Sequence, residues 1–417
     1  MTQDYSTASE LKLMEGFPPP PEQQVTLENG FWTAPYNRWA YQNMRRLMPT
    51  APIRCPADPI PLKIAHDTRV ENLAVRRPDD SLASFASFLH ETFTDSLVVV
   101  SGETIVYESY LNGMTARTPH QMMSCTKSLA GLFALLAIDG DRASEGDTIA
   151  SLLPDAGLEP GVASATLGQV LDMTNSIRFN EDYADPTSHI HDYARVTGIG
   201  PREKERPIAK TIQDYLCTLT TEEEVAHGQI FHYQSPKTDL LNWVTSRLTG
   251  KSFSQLAEDL LWHPLGADGE AYMLLDPAGT EVAAGGLNAT PHDLARFAAM
   301  ISARGRWNDK QLIPVSIIDN ICRGGSREAF LSGPDASPEL DNESWSYRAQ
   351  WWVRHTPGRQ AITAQGIFGQ WIYCDTERQI AVIKQSSTPV ASDADYDRYI
   401  LSAFDGIIEA LSSDLAG

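Results

Sequence analysis

The pattern of apolar and polar positions changes character along the chain. Two β-branched runs in "SLVVVSGETIVYESY" (96–110) flank Ser101-Gly102 and predict a hairpin. From Ser124, "SCTKSLAGLFALLAIDG" carries apolar residues on nearly every face, which predicts a helix packed on all sides. Helical patterns such as "SFSQLAEDLLWHPLG" then alternate with loops rich in Pro, Asp and Gly, from about 145 to 290. "TPHDLARFAAMISARG" (290–305) predicts a helix opened by Thr290-Pro291 and ended near Gly305. Strand signals return in "QWWVRH" (350–355) and in "GQWIYCDTERQIAVIKQSS" (369–387), a hairpin turning at 375–378. "DYDRYILSAFDGIIEAL" (395–411) is amphipathic, with Ile400, Phe404, Ile407 and Ile408 on one side.

Hairpins near both chain ends therefore flank a helical middle. The simplest assembly is an α+β fold: a central antiparallel sheet from both ends, flanked by helices, with a mainly helical region inserted. The expected division is a flexible or surface-draped arm over 1–30 and an α/β domain from 31–144 and 291–417. A mainly helical domain would span 145–290, with the active site between the two. The segment 181–207 has no clear period and is long for a connector, so it is expected as a loop lining the substrate site.

Composition narrows the classes of partner. The formal net charge of -21 and the lack of a basic block disfavour nucleic acid and anionic membranes. No apolar run reaches the length of a membrane span, and the N-terminus has no signal-peptide pattern. The five cysteines are widely spread without a CxxC pair, which suits reduced thiols in a cytoplasm. A small molecule is the expected partner, and a homodimer stays open.

Within the buried-looking helix stand Ser124 and Lys127. At i,i+3 they share a face, and burial of the lysine would lower its pKa until it can accept the serine proton. The bland alternative is a serine that caps the helix. "GQIFHYQSPKTDLLNWV" (228–244) places Tyr233, Gln234 and Ser235 before a helix. Tyr233 is a candidate proton donor to a leaving group, or simply a buried junction tyrosine. In "TAQGIFGQWIY" (363–373), Gly366 and Gly369 bracket a strand start. The Ile367 N–H there is a candidate oxyanion donor beside that of Ser124; the alternative is an ordinary glycine loop. "HIHD" (189–192) has the look of a metal pair, but no further histidine cluster supports one, and no metal or organic cofactor is expected.

In order, "SCTK", "YQS" and a glycine-rich strand start resemble the penicillin-recognising serine hydrolases: class C β-lactamases, DD-peptidases and related esterases. Two positions depart from that pattern. Ser235 stands where Tyr-x-Asn has its asparagine, and "QGIFG" replaces Lys-Thr-Gly, whose lysine helps hold a substrate carboxylate. The chain is more similar to the 6-aminohexanoate-dimer hydrolases and their carboxylesterase relatives. That likeness runs through "APYNRWAYQNMRRLMPTA" (34–51), "VLDMTNSIRFNEDYADP" (170–186), "GGSREA" (324–329), "YRAQWW" (347–352) and "GIFGQWIYCD" (366–375). The resemblance implies a β-lactamase-like fold and an acyl-enzyme on Ser124, with Lys127 and Tyr233 handling protons. It implies that Tyr183 contacts a scissile amide nitrogen and that Asp192, across a short gap, holds a substrate ammonium. It places Gly366, Ser235 and Phe368 in the pocket, Phe368 where a relative has histidine. The expected reaction is amide or ester hydrolysis of small linear substrates, such as 6-aminohexanoate oligomers or short-chain esters. A β-lactamase or DD-peptidase is the alternative.

Overall fold

The computed structural model describes residues 4–199, 209–222, 224–335 and 344–412. An eight-stranded sheet forms the main body. Its strands, in chain order, are β1 (Lys63–Ile64), β2 (Thr94–Ser101), β3 (Thr104–Tyr110), β4 (Trp345–Arg348), β5 (Trp351–Arg354), β6 (Ala361–Gly366), β7 (Gln370–Asp375) and β8 (Ile380–Ser386). They lie in the order β4-β5-β6-β7-β8-β2-β3-β1. Every pairing is antiparallel except β1 with β3 at the edge. Both expected hairpins are present, β2–β3 and β7–β8, and β8 joins them by pairing with β2.

The central strands are covered on both faces. Side chains alternate along a strand, so Leu97 and Val99 face one layer while Val98 and Val100 face the other. The first layer is the long C-terminal helix (Ala394–Ser412), which buries Ile400, Phe404, Ile407 and Ile408 there. The second includes Leu294 and Phe297 of the helix Pro291–Ser302, together with the helix that follows Ser124. Two-sided burial explains why β2 and β8 read as nearly continuous apolar runs.

The region 145–290 is rich in helices, yet it also gives two strands to a smaller sheet. That sheet runs Thr50–Ile53, Ala271–Leu274, Leu287–Ala289, His120–Gln121. Residues 4–30, expected as a loose or draped arm, pack on the body. Leu13 and Val25 are buried, and the Tyr5 ring lies 4.6 Å from that of His90. The expected 181–207 loop differs too, because His189–Val196 is helical. Its buried residues Ile190, Tyr193, Ala194 and Val196 form a helical face that the histidines and acids around them obscure. Residues 200–207 of that segment lie outside the described residues.

Candidate active site

The small sheet positions Ser124. Met122 N–H donates to Leu287 O (2.9 Å), and the Thr126 hydroxyl accepts from Leu287 N–H while donating to Met123 O (2.7 Å). These bonds hold Met123 at φ 48°, a conformation costly for a side-chain-bearing residue and often found at functional turns. The turn sets Ser124 at the N-cap of α1 (Cys125–Asp139), with no capping bond from its side chain. Its hydroxyl meets Lys127 instead: Nζ lies 2.9 Å from Ser124 Oγ and 2.6 Å from Ala284 O.

Lys127 is buried, and burial pulls its pKa down to about 8 against the opposing charges of Glu181 and Asp239. At pH 7 roughly a tenth is thus an uncharged amine, far more than for an ordinary lysine. Its hydrogens can point at Ala284 O while its lone pair faces the Ser124 proton. Asp239, on the helix α2 (Ser235–Thr249), anchors this arrangement. One oxygen accepts from the amides of Ala283 (2.8 Å) and Ala284 (3.3 Å), the other from the Tyr193 hydroxyl. Burial raises the Asp239 carboxyl to about 6, and these donors draw it back.

Tyr233 closes the group. Its ring stacks on Trp352 at 5.6 Å, its N–H donates to Asp335 (2.6 Å), and the Ser124 side chain acts on its hydroxyl, opposing part of the rise in its pKa. Lys127 Nζ sits 5.0 Å from the ring centroid. Burial and the Glu181 charge push the Tyr233 pKa well up, so the phenol keeps its proton. Two buried groups are thereby driven apart: the lysine toward the neutral base, the tyrosine toward the protonated acid.

Gly366, at the end of β6, lies against Ser124. A side chain there would come within 3.0 Å of Ser124 N and 2.7 Å of Met122 O. Only glycine lets this strand run so close, which brings the Ile367 backbone beside Ser124. Ser124, Tyr183 and Ile367 each line two cavities, one of about 370 Å³ and one of about 60 Å³. Tyr183 donates to Glu181 (2.6 Å), as does the Ser235 hydroxyl (2.7 Å).

Two expected pocket residues sit elsewhere. Asp192 lines neither cavity; its carboxylate pairs with Arg195 on its own helix. Phe368 is also not a wall residue. It is buried in the core beside Trp32 and Tyr41, at ring distances of 6.2 and 5.6 Å. His189 accepts from the Asn180 amide (2.9 Å), and among the described residues no cluster of metal-ligating side chains occurs. Glu181, Asp239 and Asp335 were not singled out from sequence. Glu181 stands among neighbouring acids in a polar stretch, and only the i,i+4 spacing of Asp239 from Ser235 hints at an inward face.

The beta-lactamase family model matches residues 87–404. The chain belongs to that family of serine hydrolases. The enzyme is 32% identical over 363 residues to the 6-aminohexanoate-dimer hydrolase of Paenarthrobacter ureafaciens, covering 85% of this chain and 86% of the relative. A solved Bacillus anthracis structure, ascribed by its name to the same hydrolases, superposes with a TM-score of 0.84 at 26% identity. It covers 94% of this chain and 99% of its own. A family VIII carboxylesterase shares the fold, with a TM-score of 0.54 and 14% identity over 77% of this chain and 97% of its own. Membership in this branch accounts for the mixed sheet with flanking helices and supports a hydrolytic activity of the amidase and carboxylesterase type. Among the described residues, no helix is long and apolar enough to cross a membrane.

Proposed function

We propose that the enzyme hydrolyses esters or amides of small linear substrates through an acyl-enzyme on Ser124. The observation that carries this reading is the 2.9 Å contact between Ser124 Oγ and a buried Lys127 whose pKa is lowered to about 8. Lys127 takes the serine proton as Oγ bonds to the substrate carbonyl carbon. The amides of Ser124 and Ile367 receive the oxyanion. Tyr233 gives its proton to the departing oxygen or nitrogen as that bond breaks, and the Lys127 proton restores the phenol. Water then attacks the acyl carbon by the reverse proton path and frees Ser124. Tyr183 and Ser235 orient the substrate through Glu181. The site lies between an α/β domain (31–144 and 291–417) and a mainly helical one (145–290), in a cytoplasmic protein. Candidate substrates are 6-aminohexanoate oligomers and short-chain carboxylic esters.

The third-motif lysine of β-lactamases has no counterpart in "QGIFG", which argues against a β-lactam or peptidoglycan substrate. The test compares a p-nitrophenyl acetate, a linear ω-amino amide dimer and a cephalosporin, with wild type and Ser124→Ala. Turnover of the ester or the dimer, lost in the variant, and a phosphonate adduct on Ser124 are expected. An adduct on another serine, or turnover of the cephalosporin alone, would overturn the reading.

A further inference from the structure

The two cavities that meet at Ser124 differ in size, chemistry and access to the proton donor. The smaller, about 60 Å³, is apolar, walled by Phe31, Trp32, Ile190 and Val282. The larger, about 370 Å³, is walled by Trp345, Trp352 and Trp371 and by the carboxylates of Glu181, Asp335, Asp393 and Asp397. Among the described residues, no lysine, arginine or histidine lines it. Tyr233 lines the larger cavity and not the smaller one. A group that protonates the leaving atom must touch it, so the leaving group belongs on the Tyr233 side.

From this we infer that the enzyme is specific for substrates with a short apolar acyl group and a leaving group that carries a positive charge. The acyl chain fills the small cavity, and a cationic alcohol or amine leaves through the large one. The inference rests on the mechanism proposed above and adds which half of the substrate goes where, and with what charge.

Each carboxylate has a different availability. Glu181 is held by Ser235 and Tyr183, and Asp335 by the Tyr233 amide. Asp393 accepts the amides of Asp395 and Tyr396 and caps the C-terminal helix. Asp397, in that helix's first turn, accepts no hydrogen bond from a described residue. Burial lifts its carboxyl to about 7, helped by Asp393 and opposed by Lys384 behind the wall. An unpaired, half-buried carboxylate next to tryptophan faces suits an organic cation, which gains from both charge and the π-systems. The same wall repels a leaving group ending in a carboxylate. Of the two candidate substrates named above, this wall therefore favours short-chain esters over a linear ω-amino acid dimer, whose leaving half ends in a carboxylate.

The test uses three acetate esters with wild-type enzyme: choline acetate, its uncharged carbon isostere, and the ester of an ω-hydroxy carboxylate of similar length. Expected kcat/KM falls in the order cation, neutral, anion, with about tenfold between the first two. Acetyl should also exceed octanoyl on one common leaving group. Asp397→Asn should reduce the cation-to-neutral ratio toward one. Equal rates within twofold, an anion preference, or octanoyl matching acetyl would overturn the inference. Labelling of Ser124 by p-nitrophenyl acetate is followed in parallel. If the label is absent, the mechanism fails; if it is present while the charge order is absent, only the inference fails.

Discussion

At the scale of single residues, the site works by separating two proton affinities. Lys127 falls to about 8 and Tyr233 rises, both chiefly through burial. Replacing Lys127 by Arg keeps the charge but removes the neutral base, because a guanidinium stays protonated. We expect kcat to drop by at least about 10²-fold. Near-normal turnover would make Lys127 structural. The pH dependence follows the same sign. The active form is the neutral amine, so kcat/KM rises with pH and levels off above about 8. Glu181 raises the Lys127 pKa by its negative charge. Glu181→Gln should therefore move the rising limb to lower pH, while also loosening Tyr183 and Ser235. A limb that stays in place or moves upward would show that another group titrates. These expectations could be framed for Ser124, Lys127 and Tyr233 from sequence, since motif order and i,i+3 spacing already mark them. Asp192 shows the opposite case. Ile190 faces the small cavity, and Asp192 lies two residues on, roughly 200° around the helix. Its phase turns it away, and Arg195 at i+3 pairs with it.

At the scale of elements, α1 does two jobs, holding Ser124 at its mouth and packing against the sheet edge. Gly131 makes the second possible. A side chain there would stand 2.0 Å from Ala349 O. The neighbouring Ser128 hydroxyl donates to Gln350 O (2.7 Å). The backbone at 349–350 bends sharply to meet the helix, with φ of 49° at Ala349 and 66° at Gln350. Arg348 Nη1 beside them donates to both Asp172 oxygens, at 3.1 and 3.0 Å, and the Ala349 amide donates to Asp172 (2.9 Å). Thus "VLDMTNS" and "YRAQWW" are tied together as scaffold. Gly131→Ala should destabilise the protein by about 1–3 kcal/mol, the usual cost of overpacking. Denaturant unfolding measures it. A loss below about 0.5 kcal/mol, within the range of surface changes, would mean that the helix and the bend separate freely. The loss should be accompanied by reduced kcat, because Ser124 moves with the helix.

At the scale of the whole molecule, the net charge of -21 surrounds an acidic cavity. Such a field draws cations toward the site and is screened by salt, with a Debye length of about 10 Å at 0.1 M. The kcat/KM for a cationic ester should fall as salt is raised, whereas that for a neutral ester should hold steady. Equal salt dependence for both would remove charge steering. Hairpins, the packed helix and the amphipathic C-terminal helix were determined by the sequence, because periods of two and 3.6 record which faces are buried. The order of the motifs marked Ser124, Lys127 and Tyr233, which the fold brings together. Tertiary structure decided the rest. Glu181 and Asp335 reach the site from separate loops, and a polar residue in a loop carries no periodic signal of where it will end up; Asp239 comes from a helix, and only packing turns it toward Lys127. The division into a small apolar and a large acidic cavity depends on Phe31 and Trp32 near one end of the chain and Asp393 and Asp397 near the other. Only folding brings those ends to opposite sides of Ser124. The cavities are gaps between elements, so their volume and charge are properties of the packing and of no single segment.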